Sequence, residues 1–253
     1  MLALEFPPVS HLIEWPDLFG SGPFAVNKVV LLMWLAVVLT FAFYFAAARK
    51  ARTAVVPSGV QNFAESVIDF VRNDIILQAI GPDGMRFLPF LVTMFSFIFV
   101  CNIFGIIPLL QMPVNARMAL PMFLALIVWV IFNAVGIAKQ GFFGYFKGIL
   151  IPPGVPKAML IIVAPIELIS TILVRPFSLA VRLFANLLAG HLLLASFAVL
   201  STALFSSTYV GAVIPGALLV ALTGFELLVA VLQAFIFTIL TAVYIGGAMH
   251  PEH

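Results

Sequence analysis

Residues 29–48 read VVLLMWLAVVLTFAFYFAAA, and this stretch contains no charged residue. A helix of about 20 apolar residues crosses the roughly 30 Å hydrocarbon core of a bilayer, so the stretch predicts a membrane span. Similar apolar runs cover 87–110 and 119–138, and two longer ones cover 158–205 and 209–249. We therefore predict an all-α polytopic membrane protein, a single membrane domain with about five membrane helices.

The composition of the whole chain supports this class. Of its 253 residues 64% are apolar and 9% are charged, whereas about 25% of an ordinary soluble domain is charged. The mean hydropathy is +1.22, and the formal net charge of +2 is too small to suggest a nucleic-acid partner. Cys101 is the single cysteine, and the sequence contains no P-loop, dinucleotide or zinc motif. We expect no metal and no cofactor.

The basic residues predict an orientation. Six of the 12 follow the first or the third span, namely Arg49, Lys50, Arg52, Lys139, Lys147 and Lys157. The opposite segments hold only Lys28 and Arg117. The positive-inside rule then places segment 1–28, which lacks the basic start of a secretory signal, outside and the C-terminus in the cytoplasm.

Segment 58–80 has a different pattern. Its apolar residues recur at helical spacing, and its charged residues fall largely on the other side. This predicts an amphipathic helix on the cytoplasmic membrane surface. The alternative is a short helix packed in a soluble loop.

The two long regions exceed the bilayer. As single helices they would measure roughly 72 Å and 62 Å at 1.5 Å per residue. We predict that they form a strongly inclined hairpin, kinked at Pro165 or Pro176 or extending beyond the membrane, with its turn within 201–216.

Ionisable residues are costly inside a membrane and are therefore functional candidates. Here they lie in the two long regions, together with two amides: Glu167, Arg175, Arg182, Asn186, His191, Glu226 and Gln233. In a hairpin centred near residue 208, three pairs share a depth: His191 with Glu226, Arg182 with Gln233, and Glu167 with His250. We therefore predict an ion pair between His191 and Glu226.

The spacing along the fourth region suggests an interrupted proton relay. His191 would lie about 13.5 Å on the outer side of Arg182, and Glu167 about 22 Å on its inner side. Arg175 shares a face with Arg182, and Ser178 and Asn186 flank it one turn away. Glutamate and histidine carry protons stepwise, whereas arginine keeps its proton and would attract a carboxylate from a partner subunit.

Structural roles are the alternatives for these residues. Arg182 could bond to backbone carbonyls, Arg175 could extend to the interface, and Glu167 could be solvated near a helix end. His191 and Glu226 could form a static pair. Asn186 and Gln233 could have no role beyond a hydrogen bond between helices.

The stretch from Glu167 through Arg175-Pro-Phe-Ser-Leu-Ala-Val-Arg182-Leu-Phe-Ala-Asn186-Leu-Leu-Ala-Gly190-His191 resembles the signature of F-type ATP synthase subunit a. The segment 232–245 resembles the last helix of that family, and 87–108, with Asn102, resembles an earlier span. Some members have an acid at the position of His191 and a histidine at that of Glu226. In this chain the two are exchanged, which leaves the order of the relay open.

The resemblance implies a non-catalytic subunit beside a rotating ring of c subunits with membrane carboxylates. Arg182 would be the essential arginine between two half-channels, with the proton path formed by His191, Glu226, Glu167, Asn186 and Gln233. Arg175, Ser178 and Asn102 would support them. Further implied partners are b-type peripheral-stalk subunits and the F1 catalytic sector, in a bacterial plasma membrane or an organelle's energy-transducing membrane.

Other functions stay open at this stage. A proton- or cation-coupled secondary transporter acting alone would usually show repeated halves, and none is visible. A membrane enzyme would need a nucleophile or a metal cluster, and a non-conducting assembly subunit would not need the buried charges. The sequence does not decide between protons and sodium ions.

Overall fold

The structure, a computed structural model, describes residues 18, 20, 26–52, 58–107, 110, 114–151, 156, 159–207 and 209–249. For 206, 207 and 209–212 it describes the backbone alone. Most of the predicted external segment 1–28 and His250 lie outside the described residues.

The described chain is helical and contains no strand. In chain order its elements are α1 (Lys28–Ala51), α2 (Val60–Phe70), the π-helical segment π1 (Val71–Ile76), α3 (Leu77–Ala79), a 3-10 helix (Pro82–Phe87), α4 (Leu88–Ile103), a 3-10 turn (Val114–Ala116), α5 (Ala119–Gln140), α6 (Phe142–Leu150), α7 (Leu160–Ile169), the π-helical segment π2 (Ser170–Val174), α8 (Arg175–Ser207) and α9 (Tyr209–Met249).

Five helical stretches are long and apolar enough to cross a membrane: Lys28–Ala51, Pro82–Ile103, Ala119–Gln140, Leu160–Phe205 and Val213–Met249. This confirms the predicted class, an all-α polytopic membrane protein. Helices suit this environment because they satisfy every backbone hydrogen bond within one segment.

Local sequence explains where several helices begin and end. The Asn27 side chain accepts a hydrogen bond from the Val30 backbone amide (3.1 Å) and caps α1. Arg49 and Lys50 occupy its last turn, where positive charge complements the helix dipole. Gly141 ends α5 with φ 73°, a left-handed conformation that favours glycine.

The chain turns at Gly141 directly into α6, a helix that the apolar pattern of the sequence does not predict. Gly136 of α5 lies against the Tyr145 ring of α6, and even one added methyl group at Gly136 would overlap that ring. The missing side chain therefore allows the two helices to pack closely.

One expectation about regular structure differs from the structure. The helix expected over 87–110 ends at Ile103, and Phe104–Ile106 form turns. Gly105 and the following Pro108 explain this early end, because glycine disfavours helix and proline has no N–H to bond the carbonyl of Phe104. The turn between the two long regions is expected within 201–216, and α8 ends at Ser207 and α9 begins at Tyr209 within that range. Helix on both sides keeps the backbone groups of this uncharged stretch hydrogen-bonded.

The described helices form two compact units. The first comprises residues 1–42, 96–117 and 183–234, and the second comprises 43–95, 118–182 and 235–253. The first unit buries Ile98, Cys101, Val114, Leu183, Leu187 and Ala230, and the second buries Val71, Ile75, Leu91, Phe132, Leu179, Phe237 and Ile245.

The segment expected to be an interfacial amphipathic helix belongs to the second unit. Val71 and Ile75 are fully buried, while Phe63 and Phe70 are exposed. The Phe63 ring lies 5.7 Å from that of Phe43, and the Phe70 ring lies 5.7 Å from those of Phe95 and Phe235. One face thus packs within the unit, and exposed aromatic rings stand on another.

Candidate functional site

A buried carboxylate marks the first group of candidate residues, which lies in the first unit. Glu226 of α9 is 4% exposed, and neither carboxylate oxygen has a hydrogen-bond partner among the described residues. It faces Gly190 of α8, where an added Cβ would lie only 3.0 Å from Glu226 Oε1. The absent side chain of Gly190 therefore provides the space that the carboxylate occupies.

An amide pair lies further along the same two helices. Asn186 Nδ2 of α8 donates a hydrogen bond to Gln233 Oε1 of α9 (2.9 Å). Gln233 is 2% exposed, and its Nε2 is buried with no partner among the described residues. An unpartnered buried donor is costly, so this amide has free capacity for water or another polar group.

These contacts describe how α8 and α9 pair within the first unit. Gly190 and Glu226 are equally far along the chain from residue 208, and Asn186 and Gln233 nearly so. A Cβ at Gly216 would lie 3.5 Å from Ser201 Oγ, and these two residues are also nearly equally far along the chain from residue 208. The pairing is therefore that of an antiparallel hairpin, as the spacing of the polar residues predicts.

The predicted ion pair is absent among the described residues. His191 is half-buried, but Glu226 accepts no hydrogen bond from it. The residue that packs against the carboxylate is Gly190, directly before His191 in the chain. The prediction identified the correct turn of α8 but the wrong residue in contact with Glu226. Pairing residues by depth carries no information about the direction of their side chains.

A buried pair of asparagines supports α9 between Glu226 and Gln233. Asn102 Nδ2 of α4 donates to the Ala230 carbonyl oxygen (3.2 Å), and Asn115 Nδ2 donates to Asn102 Oδ1 (2.7 Å). Asn102 is 1% exposed and Asn115 is 0% exposed. Asn102 stands out in the sequence only through a resemblance, and Asn115 does not stand out, because its sole signal is a neutral amide between apolar spans.

The second group of candidates lies in the second unit. Glu167 in α7 is half-buried, and the chain continues through π2 to Arg175 at the start of α8. The Arg175 guanidinium carbon lies 5.6 Å from the centroid of the Tyr244 ring, a cation–π contact. The helix also continues across Pro165.

Arg175 also acts on a tyrosine outside the spanning helices. Tyr145 of α6 donates a hydrogen bond from its hydroxyl to Asn133 Oδ1 (3.0 Å). Burial raises the pKa of Tyr145, and the positive charge of Arg175 partly opposes that rise. Arg175 thus has structural partners in its own unit, which favours the supporting role expected for it.

Arg182 differs from Arg175. It is exposed on α8, and no carboxylate among the described residues forms an ion pair with it. Ser178, one turn earlier, is half-buried. An exposed arginine on an apolar helix is available to an anionic group that this part of the chain does not supply.

No three His, Cys, Asp or Glu side chains in the described ranges come together as metal ligands. The arrangement offers a different chemistry, that of single proton acceptors. A buried carboxylate without hydrogen-bond partners has oxygen atoms free to accept a proton. The first group therefore holds a buried titratable carboxylate on α9, and α8 carries the exposed cation Arg182.

The chain is similar to known proteins over most of its length. The family described as ATP synthase A chain matches residues 30–246. A protein of Parafrankia sp. (strain EAN1pec) named ATP synthase subunit a is 46% identical over 96% of this chain and 83% of its own length. Proteins of the same name from Frankia alni and Rhodococcus erythropolis are 42% and 43% identical over 97% and 98% of this chain, and over 87% and 89% of their own lengths.

Proposed function

Because this chain belongs to the ATP synthase A chain family, we propose that it conducts protons through the membrane and couples their flow to ATP synthesis. The observation that carries this proposal is the buried carboxylate of Glu226, which has no hydrogen-bond partner among the described residues and packs on Gly190. Such a group is unstable as a static charge and suits a site that exchanges protons.

The outer half of the proposed path uses the first group of residues. Protons enter near His191 and Glu226 and pass toward Asn186 and Gln233. The free Nε2 of Gln233 supports this route, since it can hold water that links the stations. From there each proton loads a carboxylate on a ring of partner subunits.

Arg182 separates the outer half from the inner half in this proposal. Its exposure on α8 and its fixed positive charge suit a residue that meets each deprotonated ring carboxylate and blocks a continuous proton wire. Protons leave toward the inner side near Glu167. Each charge that crosses releases about 2.3 kcal/mol per 100 mV.

The assembly and orientation follow from the same proposal. The partners are the c-subunit ring, b-type stalk subunits and the F1 sector, which forms ATP. The chain spans a bacterial plasma membrane with its N-terminus outside and its C-terminus in the cytoplasm. The basic residues in the last turns of α1 and α5 support this orientation.

The decisive experiment measures ATP-driven acidification of inverted membrane vesicles. We expect Arg182→Ala to abolish pumping while ATPase activity and assembly remain, because no barrier then separates the half-channels. His191→Ala should reduce pumping by slowing proton entry. A passive proton leak in Arg182→Ala would support the barrier role further.

The matched control is Arg72→Ala, which removes an exposed arginine outside the spanning helices. It should leave pumping unchanged. Normal pumping in Arg182→Ala would contradict the mechanism and favour a transporter that acts alone.

A further inference from the structure

The second unit contains an open groove that the proposed proton path does not use. It has a volume of about 440 Å³ and is lined by Arg86, Phe87, Ala134, Val135, Ala138 and Lys139. Two cations thus border a groove whose other lining side chains are apolar. Such a surface matches an amphiphilic anion.

The groove lies where three helices end. Arg86 belongs to the 3-10 helix just before α4, and Lys139 is in the last turn of α5. The last turn of α9 is joined to both elements. Gln140 Nε2 donates to the Ala248 carbonyl oxygen (3.1 Å), and Arg86 Nη2 donates to Met249 Sδ (3.4 Å). Ends of membrane-spanning helices lie at the level of the lipid headgroups.

Arg86 keeps most of its binding capacity in this arrangement. A guanidinium has five donors, and the thioether of Met249 is a weak acceptor. The guanidinium carbon lies 4.8 Å from the centroid of the Phe87 ring, which orients it beside the groove. Lys139 is exposed. Asp83 precedes Arg86 by three residues but does not line the groove.

We propose that this groove binds one anionic phospholipid, with the phosphate between Arg86 and Lys139. The part of an acyl chain nearest the headgroup lies along Ala134, Val135 and Ala138. Basic pockets between membrane helices recognise anionic headgroups in this way. A free phosphate ion shares the headgroup chemistry but would leave the apolar wall uncovered, so the lining favours the lipid. This site is independent of the proton path.

The test uses the intact complex in phosphatidylcholine vesicles that contain a photoactivatable phosphatidylglycerol, followed by peptide mapping of the labelled chain. We expect label on the segment 134–139, and a several-fold loss in the double variant Arg86→Gln, Lys139→Gln. Lys147→Gln is the matched control, since it removes an exposed cation that does not line the groove. It should keep the label.

Competition identifies the ligand. Unlabelled phosphatidylglycerol should displace the label, and the same concentration of inorganic phosphate should not; equal displacement by phosphate would overturn the lipid assignment. Equal labelling by a photoactivatable phosphatidylcholine would overturn recognition of charge. If the double variant fails to assemble, Arg86→Lys with Lys139→Arg keeps both charges and should keep the label, while Lys139→Gln alone should reduce it.

A photo-crosslinking residue in place of Ala138 tests whether a neighbouring subunit, rather than a lipid, occupies the groove. Cross-linking to lipid supports the proposal. Cross-linking to a neighbouring subunit instead would overturn it and identify the groove as a protein interface.

Discussion

The proposed proton exchange depends on a few atoms at the contact between Glu226 and Gly190. The sequence identifies Glu226 and His191 as candidates, because charged residues stand out in an apolar run. It does not identify Gly190 as the residue against which the carboxylate packs, nor Asn115 as part of the support of α9. Glycine carries no charge or polar side chain to draw notice, and Asn115 lies in a short segment between spans, so both roles depend on a long-range contact.

At this scale we predict that Gly190→Ala reduces pumping several-fold while assembly is kept. The new Cβ would lie 3.0 Å from Glu226 Oε1, so the carboxylate must move from its place beside residue 190. ATP-driven acidification, normalised to the amount of complex, measures the effect. Gly224→Ala is the matched control, because a Cβ there meets nothing within 4 Å.

A second variant separates displacement of the carboxylate from general disruption of the helix. Glu226→Asp shortens the side chain, so the pair Gly190→Ala, Glu226→Asp should pump better than Gly190→Ala alone. If the pair pumps no better, the contact is not what limits the reaction.

At the scale of elements, the apolar runs predict the spans because a helix of fixed rise must match the bilayer. They do not predict α6, whose direction is set by Gly141 and by its contact with Gly136. Nor do they predict the π-helical segments, since an extra residue in one turn leaves the composition unchanged. The last two long helices meet within 201–216 as predicted, but the helical backbone at Gly211, Pro215 and Gly216 is not indicated by their composition, which is typical of a loop.

Adjacent glycines of α9 give a test at this scale. A Cβ at Gly246 would lie 2.5 Å from the Ala79 carbonyl oxygen at the end of α3, whereas one at Gly247 would meet nothing within 4 Å. Gly246→Ala should therefore destabilise the chain by about 1–3 kcal/mol, as overpacking typically does. Gly247→Ala should be neutral or stabilise by up to about 1 kcal/mol through helix propensity.

The measurement is the loss of helical circular dichroism on heating the purified full-length chain in detergent. Equal melting temperatures for the two variants would show that α3 and α9 do not approach closely. A lower value for Gly246→Ala alone would support the contact.

At the scale of the whole molecule, composition and charge placement decide the class and predict the orientation. The unmodified chain is a negative control for testing that orientation by thiol labelling, because Cys101 is its single cysteine and is 0% exposed. A membrane-impermeant thiol reagent should therefore not label the unmodified chain.

We predict that Leu18→Cys is labelled from the outside of intact cells and that Lys147→Cys is labelled only in inverted vesicles. Both positions are exposed in the structure, and the distribution of basic residues sets their sides. Labelling of Lys147→Cys in intact cells would reverse the proposed topology and exchange the outer and inner half-channels.

The π-helical segment π2 has a consequence for comparing chains of this family by length. It lies between Glu167 and Arg175, and a π-helical turn holds one residue more than an α-helical one. Loss of one residue there would restore a regular helix and leave the residues on either side facing nearly as before, because the wider turn already accommodates the additional residue. A relative with a one-residue gap at this place would therefore keep its glutamate on the same face, although the spacing to the arginine in its sequence would be shorter by one. Equal direction on the helix, rather than equal spacing along the chain, would then be the property that such relatives share.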